Sequence, residues 1–215
     1  AGSPLNFQFV IDSLKSKDTL HHTPLDLRIS SLIIRHGAVS YDRYDVPVQR
    51  AVFSPYHIDV KDLSAHIILN KLTDDSLDVN VKRLSLKEKS GLDIKQLSFS
   101  ALASNNDIRI KNLLVRLPNS EITSPGSSFN YSSKGAKLAS FNDDINLSAR
   151  LTPSDFSFLY GKLRDSNVPL ALNVSTKGTD KSSNATVKVT SPTLSADAHA
   201  TIYDILDTPH GELNI

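Results

Sequence analysis

Residues 79–86 read VNVKRLSL, and this stretch decides the fold because its spacing of apolar residues recurs along the chain. The four further copies are LRISSLII (27–34), IDVKDLSA (58–65), LDIKQLSF (92–99) and IRIKNLLV (108–115). In each copy two apolar residues flank a polar one, a Lys or Ser and one further residue follow, and a Leu resumes the apolar series. Alternation places apolar side chains on one face of a β-strand, so each copy predicts a strand.

The middle of each copy moves the apolar register by three residues instead of two. In a plain strand, the second apolar part would then point to the opposite face of the sheet. A β-bulge, in which one strand carries an extra residue, restores the face and increases the local twist. The pattern therefore predicts bulged strands in a strongly twisted sheet. The copies begin at residues 27, 58, 79, 92 and 108, and this uneven spacing excludes a solenoid of fixed repeat length.

Plain alternation continues on both sides of the repeat. The apolar residues take every second position in segments 7–11, 145–151, 170–174, 185–189 and 194–202. Half-apolar strands of this kind are typical of antiparallel sheets that keep one face in water. Turn-forming residues separate the strands, and we predict turns at Ser90-Gly91 and at Ser124-Pro125-Gly126. The chain is therefore predicted to be all-β, with a twisted, largely antiparallel sheet.

One short helix is predicted within LTPSDFSFLYGKL, residues 151–163. Thr152 suits the N-cap, Pro153 the first helical position and Gly161 the C-terminal end. The residues expected to share one helix face and to cover an apolar surface are Phe156, Leu159 and Tyr160.

The chain is expected to divide into three parts that follow these patterns. The first part is an N-terminal strand and loop at residues 1–26. The sheet of bulged strands follows at 27–150, and residues 151–215 add the short helix and further strands of the same sheet.

The composition excludes several classes of function. The 215 residues include 24 Lys and Arg against 23 Asp and Glu, and a net charge of +1 gives no electrostatic case for nucleic acid. Without any Cys there are no disulfides and no Cys-based metal site. No apolar run is long enough for a helix that spans a bilayer. The chain also has no Met, so we expect an internal piece of a longer protein.

Residues that catalyse reactions or bind metals show no recognisable spacing. The seven His residues form neither H-x-x-x-H nor H-E-x-x-H. Asp74-Asp75 and Asp143-Asp144 lack the pattern of a calcium loop, and the second pair is typical of a turn. We therefore predict no catalytic residue, no metal site and no cofactor.

Three stretches resemble TamB-like and AsmA-like envelope proteins of the Bacteroidetes type. Residues 27–41 resemble the strand openings of that family, 84–122 resemble a strand-rich stretch, and 151–163 resemble the helix that interrupts its strands. The resemblance covers roughly residues 27–165. The matching positions are Gly37, Val39, Tyr41, Ser90-Gly91, Leu117-Pro118 and Ser120.

This resemblance implies a curled, taco-like sheet with an apolar groove, in the periplasm of a Gram-negative bacterium, anchored by regions outside this chain. The expected role is non-enzymatic support of outer-membrane biogenesis, with phospholipid or acyl chains as ligand and an outer-membrane barrel protein as partner. A groove also has a physical basis, because a half-apolar sheet must cover its apolar face. The residues predicted to line the groove are Val79, Val81, Ile94, Ile110, Val115, Leu172 and Val187.

Two alternatives remain open at the level of the sequence. In the first, the apolar face is the closed core of a β-sandwich that binds carbohydrate or protein through the loop at residues 41–56. That loop contains Tyr41, Tyr44 and Phe53 among charged residues, and it is alternatively a long hairpin loop that docks on the sheet edge. The second alternative is an enzyme domain with scattered carboxylates, whose spacing a single sequence does not reveal.

Overall fold

A computed structural model describes residues 25–47, 52–134 and 137–215 of the chain. These residues form an all-β fold with eleven antiparallel strands in one open sheet, and the strands follow one another in chain order. The predicted fold class is therefore confirmed, and the strands do not form the two packed sheets of a sandwich. The predicted N-terminal strand, at residues 7–11, lies outside the described residues.

Within the described residues, each strand pairs only with the strands before and after it in the chain. Two long connections, at residues 43–56 and 152–169, both follow odd-numbered strands and so leave the sheet at the same end. The strands are β1 (Asp26–Asp42), β2 (His57–Thr73), β3 (Ser76–Glu88), β4 (Asp93–Ser104), β5 (Asp107–Arg116), β6 (Glu121–Lys134), β7 (Lys137–Leu151), β8 (Leu170–Thr179), β9 (Ser182–Thr190), β10 (Ser195–Tyr203) and β11 (His210–Asn214).

The predicted bulges are present in all five copies of the repeat. In β3, Val81 pairs with Phe99 of β4 and Leu84 pairs with Leu97. The step is three residues long in β3 and two in β4, so β3 carries one extra residue. The same mismatch occurs at residues 29–32 of β1 and 60–63 of β2. It recurs at residues 94–97 of β4 and 111–114 of β5. The three-residue steps of the apolar pattern therefore correspond to extra residues in the strands.

Left-handed backbone conformations accompany some of these bulges. Asp62 and Asn112 lie inside the steps of β2 and β5, with φ of 52° and 53°. His36, with φ of 51°, lies in a second bulge of β1, between Ile34 and Gly37. Asp, Asn and His adopt this conformation more often than other residues with a side chain. The bulges therefore use residues that tolerate the required backbone.

The bulges keep apolar residues on one face across almost the whole sheet. One row of residues that face each other across successive strands contains only apolar side chains, and nine spacings of about 4.8 Å give it a length of roughly 43 Å. From β1 to β10 this apolar row consists of Ile34, Ala65, Leu84, Leu97, Val115, Ile122, Ala149, Leu172, Val189 and Ala196. We call the side of the sheet that carries this row the apolar face, and the other side the polar face.

The predicted helix is wrong in its form, because the segment contains only two isolated 3-10 turns, Pro153–Phe156 and Gly161–Leu163. The hydroxyl of Thr152 does not cap a helix; it donates to the carbonyl of Asn119 at 3.1 Å. The carboxylate of Asp155 accepts hydrogen bonds from the backbone and side-chain nitrogens of Asn119, at 2.8 and 3.0 Å. The segment is thus bound to the β5–β6 turn. Of the predicted covering residues, Phe156 is half-buried, whereas Leu159 and Tyr160 are exposed.

The predicted turn at Ser124-Pro125-Gly126 is also wrong, because these residues lie inside β6. Pro125 lies opposite the bulge residue Asn112, where the pairing of β6 with β7 skips from Thr123 to Ser128. Pro lacks a backbone N–H and is tolerated in a sheet where the ladder of hydrogen bonds is interrupted. The turn between β5 and β6 lies earlier, at residues 117–120.

Candidate functional site: an apolar groove

All seven predicted groove residues lie on the apolar face. Val115 and Leu172 belong to the apolar row itself. The others face apolar partners on adjacent strands: Val79 with Ala101, Ala101 with Ile110, Val81 with Phe99, Leu86 with Ile94, and Val174 with Val187. The structure therefore brings these residues onto one continuous surface, as the alternation pattern predicted.

No second layer covers this face among the described residues, where the strands pack mainly against their neighbours in the sheet. Val81 is buried, with 6% of its surface exposed, whereas the other six predicted groove residues are half-buried. The only buried apolar residues in the described ranges are Val60, Ala65, Val81, Leu117 and Ala149. Most apolar side chains of the face thus keep contact with water.

Exposure of the apolar face varies from strand to strand at both ends of the sheet. We call the end with the two long connections the loop end and the opposite one the hairpin end. Val60, Leu117 and Ala149 lie near the loop end and are buried, whereas Val39 and Leu194 near the same end are 44% and 57% exposed. Near the hairpin end, Ile108 and Ile202 are 41% and 38% exposed. The apolar face is therefore accessible from both ends.

The two long connections meet each other at the loop end. The backbone N–H of Phe53 donates to the carbonyl of Phe158 at 2.7 Å, which joins the β1–β2 connection to the β7–β8 connection. Phe53, Phe156 and Phe158 are half-buried, and the rings of the last two lie 6.4 Å apart. Four strands, β3 to β6, lie between the strands that these connections join. Alternation within single strands gave no signal for this contact.

The loop proposed as an aromatic platform has a different arrangement. The guanidinium of Arg43 lies 5.3 Å from the ring centre of Tyr56 and forms an ion pair with Asp45 at 2.8 Å. Tyr44 is almost fully exposed. Among the described residues, no aromatic ring pairs with Tyr41 or Tyr44.

A buried carboxylate interrupts the apolar face towards the hairpin end. Asp143 lies within β7, opposite Phe129 and Gly178, so the turn predicted at Asp143-Asp144 is wrong. Its carboxylate accepts hydrogen bonds from the hydroxyls of Thr176 and of Ser183, the latter at 3.3 Å. A Cβ at Gly178 would collide with Ser182 and Ser183, so Gly at this position permits β9 to pack closely beside the carboxylate. Sequence reasoning missed it because Asn and Asp residues are also typical of turns.

Glu88 is a second buried carboxylate, at the loop end of β3. It accepts hydrogen bonds from the hydroxyl and backbone N–H of Ser90 and from the backbone N–H of Asp59. Burial by itself raises the pKa of Glu88, but these hydrogen bonds outweigh burial, and the pKa lies below its ordinary value of 4.5. The ionised group therefore holds the β3–β4 turn against β2.

The described histidines form no metal site with neighbouring acids, since no group of three ligating side chains occurs within residues 25–47, 52–134 and 137–215. His57 has a structural role instead. Its Nδ1 lies 3.2 Å from a carboxylate oxygen of Asp42, and its Nε2 lies 2.8 Å from the carbonyl of Val46. His57 thereby holds the start of the β1–β2 connection.

Comparisons with protein-family models, with curated proteins and with solved structures gave no match for this chain. No helix within the described part of the chain has the length and apolar character needed to span a membrane. The function that follows is therefore inferred from the geometry of the apolar face and from the resemblance of residues 27–165.

Proposed function

We propose that the chain is a non-enzymatic segment of a TamB-like or AsmA-like envelope protein and that its apolar face guides acyl chains of phospholipids. The observation that supports this role is the apolar row, which crosses ten successive strands without a polar member. A closed core needs a second layer on such a face, and the described residues supply none.

The energetics favour an apolar ligand on this surface. Each methylene removed from water contributes roughly 0.8 kcal/mol, so about ten methylenes on the apolar face contribute roughly 8 kcal/mol before ordering costs. The half-buried side chains lose their remaining contact with water at the same time. The face is therefore suited to acyl chains that lie across the strands, along the apolar row.

The long connections restrict access to the apolar face at one point of the loop end. The Phe53–Phe158 hydrogen bond ties them together there, whereas Ile108 and Ile202 are accessible at the hairpin end. Acyl chains therefore have a route to the apolar row from the hairpin end.

In its proposed role the segment lies in the periplasm of a Gram-negative bacterium, supports outer-membrane biogenesis and works with an outer-membrane barrel protein. The support for this setting is the resemblance, including the G-x-[VI]-x-Y element that begins at Gly37. A Cβ at Gly37 would lie 2.9 Å from Cγ2 of Ile34, a member of the apolar row. The Gly of this element therefore permits close packing beside the proposed groove.

A matched pair of substitutions on neighbouring strands tests the groove. Ile108 of β5 is 41% exposed on the apolar face, and Leu102 of β4 is 42% exposed on the polar face, opposite Asp78 and Arg109. Because their exposure is nearly equal, Ile108→Asp and Leu102→Asp have similar costs for folding. We expect Ile108→Asp to reduce binding of a fluorescent fatty acid about tenfold or more, and Leu102→Asp to leave it within about twofold.

The measurement is a fluorescence titration of each purified variant, together with mass spectrometry of lipid extracts from the untreated protein. Circular dichroism confirms that both variants are folded. The groove is refuted when the unmodified protein neither retains lipid nor binds the fatty acid. Equal loss of binding in the two variants would also contradict it, because the loss would then not depend on the face.

A further inference from the structure

Polar and charged residues of the first four strands line a depression beside the bulges. Its apolar lining consists of Ile34 and Ala65 of the apolar row together with Leu86 and Ile94. Its volume is about 700 Å³, and it lies over β1 to β4. Ser64 and Ser85 face each other across β2 and β3 and both line it. The ionisable side chains that line it are Arg35, His36, Asp62, His66, Arg83, Lys87, Asp93 and Lys95. Four permanent cations thus face two carboxylates in this depression.

The cations are only partly neutralised by acidic neighbours. Lys95 forms an ion pair with Asp93 at 2.7 Å. Arg35, Arg83 and Lys87 have no carboxylate within ion-pair distance in the described part of the chain. The depression therefore carries an excess of positive charge, although the whole chain is nearly neutral.

The strand register places a further cation beside the depression. Lys61 of β2, which does not line it, faces Lys87 of β3, which does. Like charges directly opposite in an antiparallel pair destabilise the sheet. An anion bound at Lys87 reduces this repulsion, so the arrangement favours an anionic ligand.

The repeat itself supplies Lys residues beyond what the fold requires. A bulge needs an extra residue but no particular charge, and the first copy has Ser30 at the step. The four other copies have Lys at the same position, namely Lys61, Lys82, Lys95 and Lys111, and all are exposed. Basic side chains therefore follow the bulges from β2 to β5.

From these observations we infer that the depression over β1 to β4 binds a phosphate group. Guanidinium and ammonium groups form short charge-assisted hydrogen bonds to phosphate oxygens, and the hydroxyls of Ser64 and Ser85 add uncharged donors. The basic groups and hydroxyls of the site are not among the residues proposed to line the lipid groove. Each role can therefore fail without the other.

The test is a titration with inorganic phosphate, followed by NMR chemical shifts of the backbone amides at constant ionic strength. The double variant Arg83→Gln with Lys87→Gln removes the two cations of β3 that line the depression and form no ion pair among the described residues. We expect phosphate affinity to fall at least about tenfold. The control is Arg28→Gln with Lys188→Gln, which removes the same charge from cations already paired with Asp26 and Asp197. We expect the control to bind within about twofold of the unmodified protein.

The site is refuted when the amides around the depression show no saturable chemical-shift changes. It is also refuted when phosphate affinity falls equally in both double variants, because that result indicates only non-specific electrostatic attraction. Thermal unfolding checks that the variants fold. If the double variant does not fold, the single variant Lys87→Gln replaces it in the titration. A parallel titration with glycerol phosphate distinguishes the source of the group. If glycerol phosphate binds more tightly than inorganic phosphate, the natural ligand is a lipid headgroup. If the two bind equally, it is free phosphate, and both outcomes support the site.

Discussion

The strands before and after β7 keep the same apolar face in different ways. Register shifts occur in four of the five pairings within β1–β6, which we call the bulged half. The regular half, β8–β11, shows no register shift. The strands of the bulged half are 10 to 17 residues long, whereas those of the regular half have 5 to 10.

This difference shows what an extra residue does in a long strand. In the regular half, Val174 and Val187 stay on the apolar face because alternation is unbroken. In the bulged half, alternation breaks between Val81 and Leu84, and the bulge returns Leu84 to the same face. Since each bulge increases local twist, long strands with bulges bend, whereas short regular strands do not need to. We therefore expect the bulged half of the sheet to be more curved than the regular half.

The largest effect is expected from a carboxylate on the apolar face. Val81→Asp in the bulged half places the charge at a buried position, and we expect the free energy of unfolding to fall by about 3 kcal/mol or more. Val187→Asp in the regular half replaces a half-buried residue and should cost about half as much. Urea unfolding followed by circular dichroism measures both. Equal costs would show that the two halves are packed alike.

A smaller effect is expected at the bulge of β5. Asn112 has φ of 53°, a conformation that β-branched residues avoid, so Asn112→Val should lower the free energy of unfolding by about 1–2 kcal/mol. Asn173 of β8 is exposed and has no positive φ. There the same change should be neutral or slightly stabilising, because Val favours strands. Thermal unfolding compares the two, and a cost for Asn173→Val as large as that for Asn112→Val would contradict the bulge assignment.

The smallest effect concerns the loop end of the bulged half and depends on pH. Glu88→Gln removes the charge that accepts three hydrogen bonds, and we expect a loss of about 1–2 kcal/mol at pH 7. The pKa of Glu88 is lowered in the folded protein, so its contribution to stability is present above the ordinary value of 4.5 and disappears as pH falls through the folded value. The difference between the two proteins should therefore vanish in acid.

The control for this change is Glu121→Gln, which removes an exposed carboxylate paired with Arg116. Glu121→Gln should lower the free energy of unfolding by less than about 1 kcal/mol, because exposed ion pairs contribute little to stability. Unfolding by urea between pH 3 and pH 7 measures both variants. A Glu88→Gln difference that persists at low pH would show that the hydrogen bonds of Glu88 do not depend on its charge.

The sequence predicted the structure correctly where the pattern of apolar residues within a single strand was sufficient. The step from Ile94 to Leu97 predicted a bulge, and the alternation around Val187 predicted a face, because each pattern needs only local geometry. It misled where a distant partner decides the local structure. Asn119 of the β5–β6 turn binds Thr152 and Asp155 in place of a helix cap, and the bulge of β5 accommodates Pro125 within β6.

The sequence predicted which face carries the proposed groove residues, but it did not predict the depression over β1 to β4. Apolar alternation identifies a face, but a depression such as that between Arg35 and Lys95 depends on how four neighbouring strands are aligned. The opposition of Lys61 with Lys87 is likewise a matter of register between strands. No periodicity within a single strand contains that information.

The sequence by itself determined the all-β class, the apolar face and the positions of the bulges, because side-chain direction in a strand depends on residue count alone. Only the tertiary structure decided that the eleven strands form one open sheet. It also decided that Phe53 meets Phe158 at the loop end and that Asp143 is buried between Thr176 and Ser183. These contacts join residues far apart in the chain, and their partners are chosen by strand alignment and by the need to satisfy buried polar groups.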